Sequence, residues 1–199
     1  MASESNSVSD EKIAEALIRE VIEEELKHIP SEDVPSLTLP AVELKNEQEE
    51  KFVDQLGTLV CKIGEKLKDD VEIQADIDEL AQNFDRGNFN KSANKVFEHG
   101  ITWEKIVGFF YVPGQLAVRM VEAHLSQSVM EILKWTVDFF KQYLLGWIRE
   151  RGGWICSFSE LAMASMQTAS SMSSHRGDLV IIFFAGIALG FFISWRLTR

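Results

Sequence analysis

The chain has 199 residues and is 46% hydrophobic and 26% charged, which predicts one globular domain with at most a small appendage. Its formal net charge of −11 argues against nucleic acid as a partner. The charge is uneven, because residues 1–85 have a net charge of −15 and residues 86–199 one of +4, which predicts an acidic part and an apolar, slightly basic part.

The first predicted helix covers about residues 10–28, with Ser9 or Asp10 as its cap and one apolar stripe facing the core. Three prolines then predict a flexible loop over residues 29–47. A second amphipathic helix is predicted over residues 49–70. Its apolar positions are four, four, three and four residues apart: Phe52, Leu56, Val60, Ile63 and Leu67.

Two short helices are predicted next, over about residues 71–83 and 91–99, with a turn at residues 85–88 between them. The most apolar segment follows, because residues 106–118 contain no charged side chain. A helix that is hydrophobic on every side must be surrounded by other helices. We therefore expect this segment to be the centre of the fold.

The central segment is predicted to form a helical hairpin over residues 103–149. Thr102 is placed to cap its first helix at Trp103. The second helix carries one charged face, on which neighbouring side chains stack and can pair: Glu131, Lys134, Asp138 and Lys141. Two glycines are expected to end it: Gly152 and Gly153.

Seventeen residues without charge, 179–195, are predicted to be a C-terminal transmembrane anchor. At 1.5 Å per residue they span about 26 Å, which suits a thin membrane. The residues assigned to this anchor are Leu179, Phe183, Gly186, Gly190 and Trp195. The alternative is a buried core helix. We expect residues 1–175 to form the body, which lies in the cytosol.

No segment alternates with a period of two, so the predicted fold class is all-α, a helical bundle around the central hairpin. Two cysteines, Cys61 and Cys156, suggest neither a disulfide framework nor a metal site. The four histidines are scattered, and no phosphate-binding loop or nucleophile motif is found in the sequence. We therefore predict no enzyme activity, no cofactor and no metal. The protein is expected to act through its surfaces.

Three segments resemble the homology motifs of one known family, in that family's order: residues 56–67 the third motif, residues 100–111 the first and residues 135–154 the second. The family is that of the Bcl-type (B-cell lymphoma 2) apoptosis regulators. The resemblance implies a death-motif helix that binds partners through Leu56, Val60, Ile63, Gly64, Glu65 and Leu67. It implies groove residues Thr102, Trp103, Glu104 and Lys105, and second-motif residues Trp147, Gly152, Gly153 and Trp154.

The first motif departs from the family's usual Asn-Trp-Gly-Arg. Thr102 keeps a capping oxygen. Lys105 keeps the positive charge but lacks the arginine fork, so a bidentate clamp on a partner's acidic residue becomes a point contact. Glu104 adds bulk where a partner helix would approach.

The resemblance implies a pro-apoptotic effector that oligomerises with its own kind and permeabilises the mitochondrial outer membrane, releasing cytochrome c. Its partners would be a second copy, the death-motif helices of other family members and that membrane. The implied location is the cytoplasm and the mitochondrial outer membrane, with the endoplasmic reticulum as a further site. One alternative is an anti-apoptotic guardian of the same fold that sequesters death-motif helices. Another is a tail-anchored adaptor without a role in cell death.

Overall fold

The computed structural model describes residues 2–30 and 38–154, in which every regular element is a helix. The elements are α1 Ala2–Leu26, α2 Glu47–Leu67, α3 Val71–Gln82, α4 Arg86–Phe97, α5 Trp103–Glu122, α6 Ser128–Phe139, a π-helical turn Phe140–Leu144 and α7 Leu145–Glu150. The predicted all-α fold class is therefore confirmed.

Helix α5 is the centre of the bundle and packs against α1, α2, α3, α4 and α6. Its side chains Ile106, Phe110 and Leu116 are at most 1% exposed. The predicted cap is present, since the Thr102 hydroxyl accepts a hydrogen bond from the Lys105 amide at 3.3 Å. The uncharged segment 106–118 therefore lies at the centre of the fold, as predicted. The physical reason is that a helix that is hydrophobic on all sides must be covered by other helices.

Helix α1 begins earlier than predicted, so the assignment of Ser9 or Asp10 as its cap is wrong. Both residues lie inside the helix, and their side chains bind other parts of the chain. The Ser9 hydroxyl donates to the Glu49 carboxylate. The Asp10 carboxylate accepts from the Trp154 amide at 3.2 Å, and the Asp10 carbonyl accepts from the Trp154 indole at 2.9 Å.

Helix α4 also begins earlier, at Arg86, and the predicted turn at residues 85–88 is its first turn. The Asp85 carboxylate caps it by accepting from the Asn88 amide at 2.9 Å. Capping by aspartate outweighs the weak helix propensity of Gly87 at this end.

Two of the four charged residues predicted to share a face, Asp138 of α6 and Lys141 of the π-helical turn that follows it, pair with other helices. Asp138 accepts from Arg86 of α4 at 3.0 Å, and Lys141 pairs with Glu11 of α1. The π-helical turn that follows α6 was not predicted. It lets two consecutive side chains, Phe139 and Phe140, face the core at 3% and 0% exposure.

Residues 31–37 and 155–199 lie outside the described part of the chain, so the predicted anchor 179–195, with Leu179, Phe183, Gly186, Gly190 and Trp195, does too. Among the described helices none has the length and apolar character needed to cross a membrane. The described part of the proline-containing loop lies on the bundle. Leu39 is 3% exposed, and Lys12 of α1 donates to the Glu43 carbonyl at 3.1 Å.

Candidate functional site

Helix α2 is the segment that the sequence identified as a partner-binding helix. It begins at a cap in which the Asn46 side chain accepts from the Glu49 amide at 3.0 Å. The apolar stripe faces the core, where Leu56, Val60 and Leu67 are 2%, 0% and 6% exposed. The side chains of Ile63 and Glu65 lie outside the described part of the structure. In this state the stripe covers α1 and α5.

Gly64 marks a close approach between α2 and α5. A Cβ atom at this position would overlap the ring of Tyr111. Tyr111 is fully buried, and its hydroxyl accepts from the Gln74 amide group at 3.4 Å. Burial raises the pKa of Tyr111, so the phenol is neutral at physiological pH. The glycine is therefore required by packing in the body as well as by the family motif.

The contact between α1 and α2 contains polar groups. A Cβ atom on Gly57 would lie 2.8 Å from the Glu20 carboxyl carbon, so this carboxyl group lies directly against α2. Burial, and after it the charge of Asp54, raises the pKa of Glu20. Burial, and after it the charge of Glu25, raises the pKa of the Cys61 thiol to about 11, so this thiol is protonated at neutral pH.

A buried carboxylate ties the C-terminal end of α2 to α1 and α5. Glu25 of α1 is 3% exposed, pairs with Lys68 at 3.0 Å and accepts from the Gln115 amide group at 2.7 Å. Three helices therefore meet at one charge. A buried carboxylate needs such partners, because its desolvation is costly.

Two further carboxylates, Glu49 and Asp10, lie near the N-terminal end of α2. Glu49, at 4% exposure, accepts from the Ser9 hydroxyl and, at 2.8 Å, from the Lys45 amide. Burial raises the pKa of Asp10, against the lowering effect of its bond from the Trp154 amide. Both ends of α2 are thus held by hydrogen bonds to carboxylates.

Next to the end of α2, helices α3, α4 and α5 enclose a groove of about 450 Å³. Phe109 and Val112 of α5 line it, and Leu67 of α2 reaches it. The two other helices supply charged side chains of opposite sign: Asp76 and Glu79 from α3, and Lys91 and Lys95 from α4. A groove of this size is within the usual range of ligand sites.

The residues that the family resemblance assigned to a partner-binding groove lie near the start of α5, outside the lining of this cavity. Thr102, Trp103 and Lys105 are not among the lining residues. Lys105 is 7% exposed, and its ammonium group donates to the Gly100 carbonyl at 3.0 Å, just after α4. The side chain of Glu104 lies outside the described part of the structure.

The second-motif residues form an aromatic cluster with the first motif. The ring centroid of Trp103 lies 5.3 Å from that of Trp147 and 5.5 Å from that of Trp154. Gly152 and Gly153 have φ values of 87° and 85°, which favour glycine, and they turn the chain so that Trp154 enters the core. These residues stabilise the end of the bundle near the start of α5.

The walls of the groove were not predicted from the sequence. Helix α4 carries an apolar stripe of Phe89, Ala93 and Val96 with two lysines beside it, which was the available signal. Within the described ranges, no group of three or more histidine, cysteine, aspartate or glutamate side chains is arranged to hold a metal ion. The described site is therefore a surface of packing and charge.

Residues 62–154 match the family model for the apoptosis regulator proteins of the Bcl-2 family. The chain is 26% identical to the apoptosis regulator BAX of Bos taurus over 79% of this chain and 77% of that protein. It is 34% identical to the apoptosis regulator Bcl-2 of Canis lupus familiaris, over 41% of this chain and 34% of that protein. The crystal structure of Trichoplax adhaerens trBcl-2L2 bound to trBak BH3 has the same fold, with a TM-score of 0.61, 19% identity and coverage of 77% of this chain and 99% of that one.

Proposed function

This chain belongs to the Bcl-2 family of apoptosis regulators, and we propose that it is a death-promoting effector. On activation, α2 leaves the body and enters the groove of a second copy. The dimers assemble and permeabilise the mitochondrial outer membrane, which releases cytochrome c. The protein acts by exchanging buried surfaces and not by catalysis.

The polar attachment of α2 is the observation that carries this proposal. Its apolar stripe is buried, yet its two ends are held by carboxylates, Glu49 at one end and Glu25 with Lys68 at the other. When α2 leaves, these groups regain water, which offsets part of the cost of separation. The apolar stripe regains burial in a groove on another copy, at about 1.5–3 kcal/mol for each large side chain before ordering costs.

The membrane-facing part of the proposal rests on apolar segments. Residues 106–118 carry no charge, so α5 has enough apolar surface to enter lipid once the bundle opens. The segment 179–195 is the proposed tail anchor. We assign the protein to the cytoplasm and the mitochondrial outer membrane on these grounds, with the endoplasmic reticulum as a further membrane.

The second candidate is a guardian that holds the death-motif helices of other proteins and forms no pore. Two observations favour it. The identity to Bcl-2, 34%, is higher than the identity to BAX, 26%, and a groove of about 450 Å³ lies beside α2. The match to BAX covers a larger share of both chains, which favours the effector. Expression in cells separates the two, because an effector kills cells and a guardian protects them.

A liposome assay tests the effector directly. Purified protein with an activating death-motif peptide is expected to release entrapped dye, and cytochrome c from isolated mitochondria. Ile63→Glu places a charge at an apolar position of the predicted death motif and should abolish release, because an unpaired charge in an apolar groove costs several kcal/mol. Thr58→Glu is the matched control, since Thr58 lies on the exposed side of the same helix. The effector role would be overturned if neither the wild-type chain nor Thr58→Glu released dye.

A further inference from the structure

The groove has walls of opposite charge. Lys91 and Lys95 are one helical turn apart on α4, so they occupy the same face, and both are exposed and line the groove. On α3, Asp76 and Glu79 line it three residues apart. Phe109 of α5 lines the same groove and adds an apolar surface to it.

Two other cations near the groove, Lys105 and Arg119, do not line it. Lys105 is bound to the Gly100 carbonyl. Arg119 donates to Asp78 at 2.7 Å and to Gln74 at 2.8 Å. Among the described residues that line the groove, Lys91 and Lys95 therefore supply the positive charge.

Building on the proposed helix-binding role of this groove, we infer that it selects amphipathic helices of other proteins whose charges are segregated. Such a helix carries carboxylates along the edge that faces Lys91 and Lys95. It carries lysine or arginine along the edge that faces Asp76 and Glu79. Charge complementarity of this kind sets specificity, because like charges brought together disfavour the wrong partner. Lys91 and Lys95 are thus specificity-determining residues for this chain.

Two synthetic helices of 22 residues test the inference. Both keep the five stripe residues Phe52, Leu56, Val60, Ile63 and Leu67 of the 49–70 segment, and both carry four glutamates and four lysines that flank this stripe, at positions 50, 57, 61 and 68 on one edge and 51, 55, 62 and 66 on the other. In the segregated probe each edge has one sign. In the interspersed probe each edge has two residues of each sign. The two probes have equal composition. A helix can lie in the groove in two opposite orientations, and in one of them the segregated probe presents to each wall the charge opposite to that wall.

The measured quantity is the ratio of the two dissociation constants, compared between the wild-type chain and K91E/K95E. We expect the ratio to favour the segregated probe about tenfold more in the wild-type chain than in K91E/K95E. A factor of this size corresponds to a few exposed ion pairs between the probe and the groove walls. The comparison between proteins cancels any difference in helicity between the probes. Raising the salt concentration from 50 to 500 mM should reduce the preference, because these charges are exposed.

Lys134→Glu on α6 is the matched control, since Lys134 is exposed and does not line the groove, and it should keep the wild-type ratio. If K91E/K95E fails to fold, as judged by circular dichroism, K91Q/K95Q replaces it. Equal ratios in the wild-type chain and the variant, or a ratio that salt does not change, would overturn the inference. Binding of neither probe would overturn it together with the helix-binding role. Selective binding without dye release would leave the inference standing and remove only the effector role.

Discussion

The two sides of α5 are held in different ways. Towards α6 the contacts are between aromatic rings: Phe109 to Phe139 at 5.2 Å and Phe110 to Phe140 at 6.1 Å, with Phe140 stacked on Trp154 at 5.6 Å. Towards α1 and the C-terminal end of α2, the contact includes the buried group Glu25–Gln115–Lys68. The hairpin is therefore stabilised mainly by apolar burial, and α2 partly by polar bonds.

In the proposed mechanism, this difference favours the release of α2 over the separation of the hairpin. Separating aromatic surfaces exposes them to water, and nothing in water compensates for the loss. Separating Glu25 from Lys68 exposes groups that water solvates well, so the net cost is small relative to the gross strength of the bonds. An effector that releases α2 but keeps its hairpin until it reaches lipid needs this arrangement.

The largest expected effect is on the aromatic side. Phe110→Ala removes a fully buried ring with neighbours on α5, the π-helical turn and Trp154, and should lower the free energy of unfolding by about 3–5 kcal/mol. Urea unfolding of the wild-type and variant chains measures it. A loss below about 1 kcal/mol would show that the hairpin packing is not the main source of stability.

The next largest effect concerns the closest approach of α2 to α5. Gly64→Ala places a methyl group in the space of the Tyr111 ring and should cost about 1–3 kcal/mol, with faster hydrogen exchange in α2. Gly146→Ala is the control, because nothing lies within 4 Å of its Cβ position in α7. That change should be neutral or stabilising by up to about 1 kcal/mol. If the two alanine variants are equally stable, the contact with Tyr111 does not hold α2.

A smaller effect is expected from the polar tie at the end of α2. Lys68→Met removes the cation beside Glu25, whose Gln115 bond remains, and should cost about 1–2 kcal/mol, since the lysine is itself partly exposed. Lys51→Met on the same helix breaks the exposed pair with Glu47 and should cost less than about 0.5 kcal/mol. Thermal unfolding and the rate of proteolysis of α2 report both. Equal losses would contradict the special role of the buried carboxylate.

Periodicity was sufficient to predict the main elements. The stripe of α2 and the uncharged run of α5 followed from spacing alone, because burial on one face or on all faces leaves a regular pattern. The starts of α1 and α4 could not be located in this way. Asp10 and Asp85 are the same residue type with the same capping ability, and only the fold places the Asp10 carboxylate at the Trp154 amide.

The site was less predictable than the fold because it is made of tertiary contacts. Lys105 followed a family motif, yet its ammonium group reaches the Gly100 carbonyl, five residues earlier in the chain. The groove walls combine residues near 76–79 with residues near 91–95. Their opposition depends on how α3 and α4 pack on α5, which no local pattern records.

The smallest effect is a pH-dependent one at Glu20, on the polar side. Burial against α2 raises its pKa in the folded state, so the stability that its neutral form contributes is present at low pH and is lost as the pH rises through the folded pKa. Glu20→Gln keeps the neutral shape and should stabilise the chain at pH 7.5, by less than about 1 kcal/mol. The advantage over the wild-type chain should disappear below about pH 4.5, measured by urea unfolding at both values. Glu131→Gln, an exposed carboxylate on α6, controls for the change in net charge. A Glu20→Gln variant that is less stable than the wild-type chain at pH 7.5 would mean that the charged carboxylate helps to hold α2, and the polar contact would then be a clamp and not a point of release.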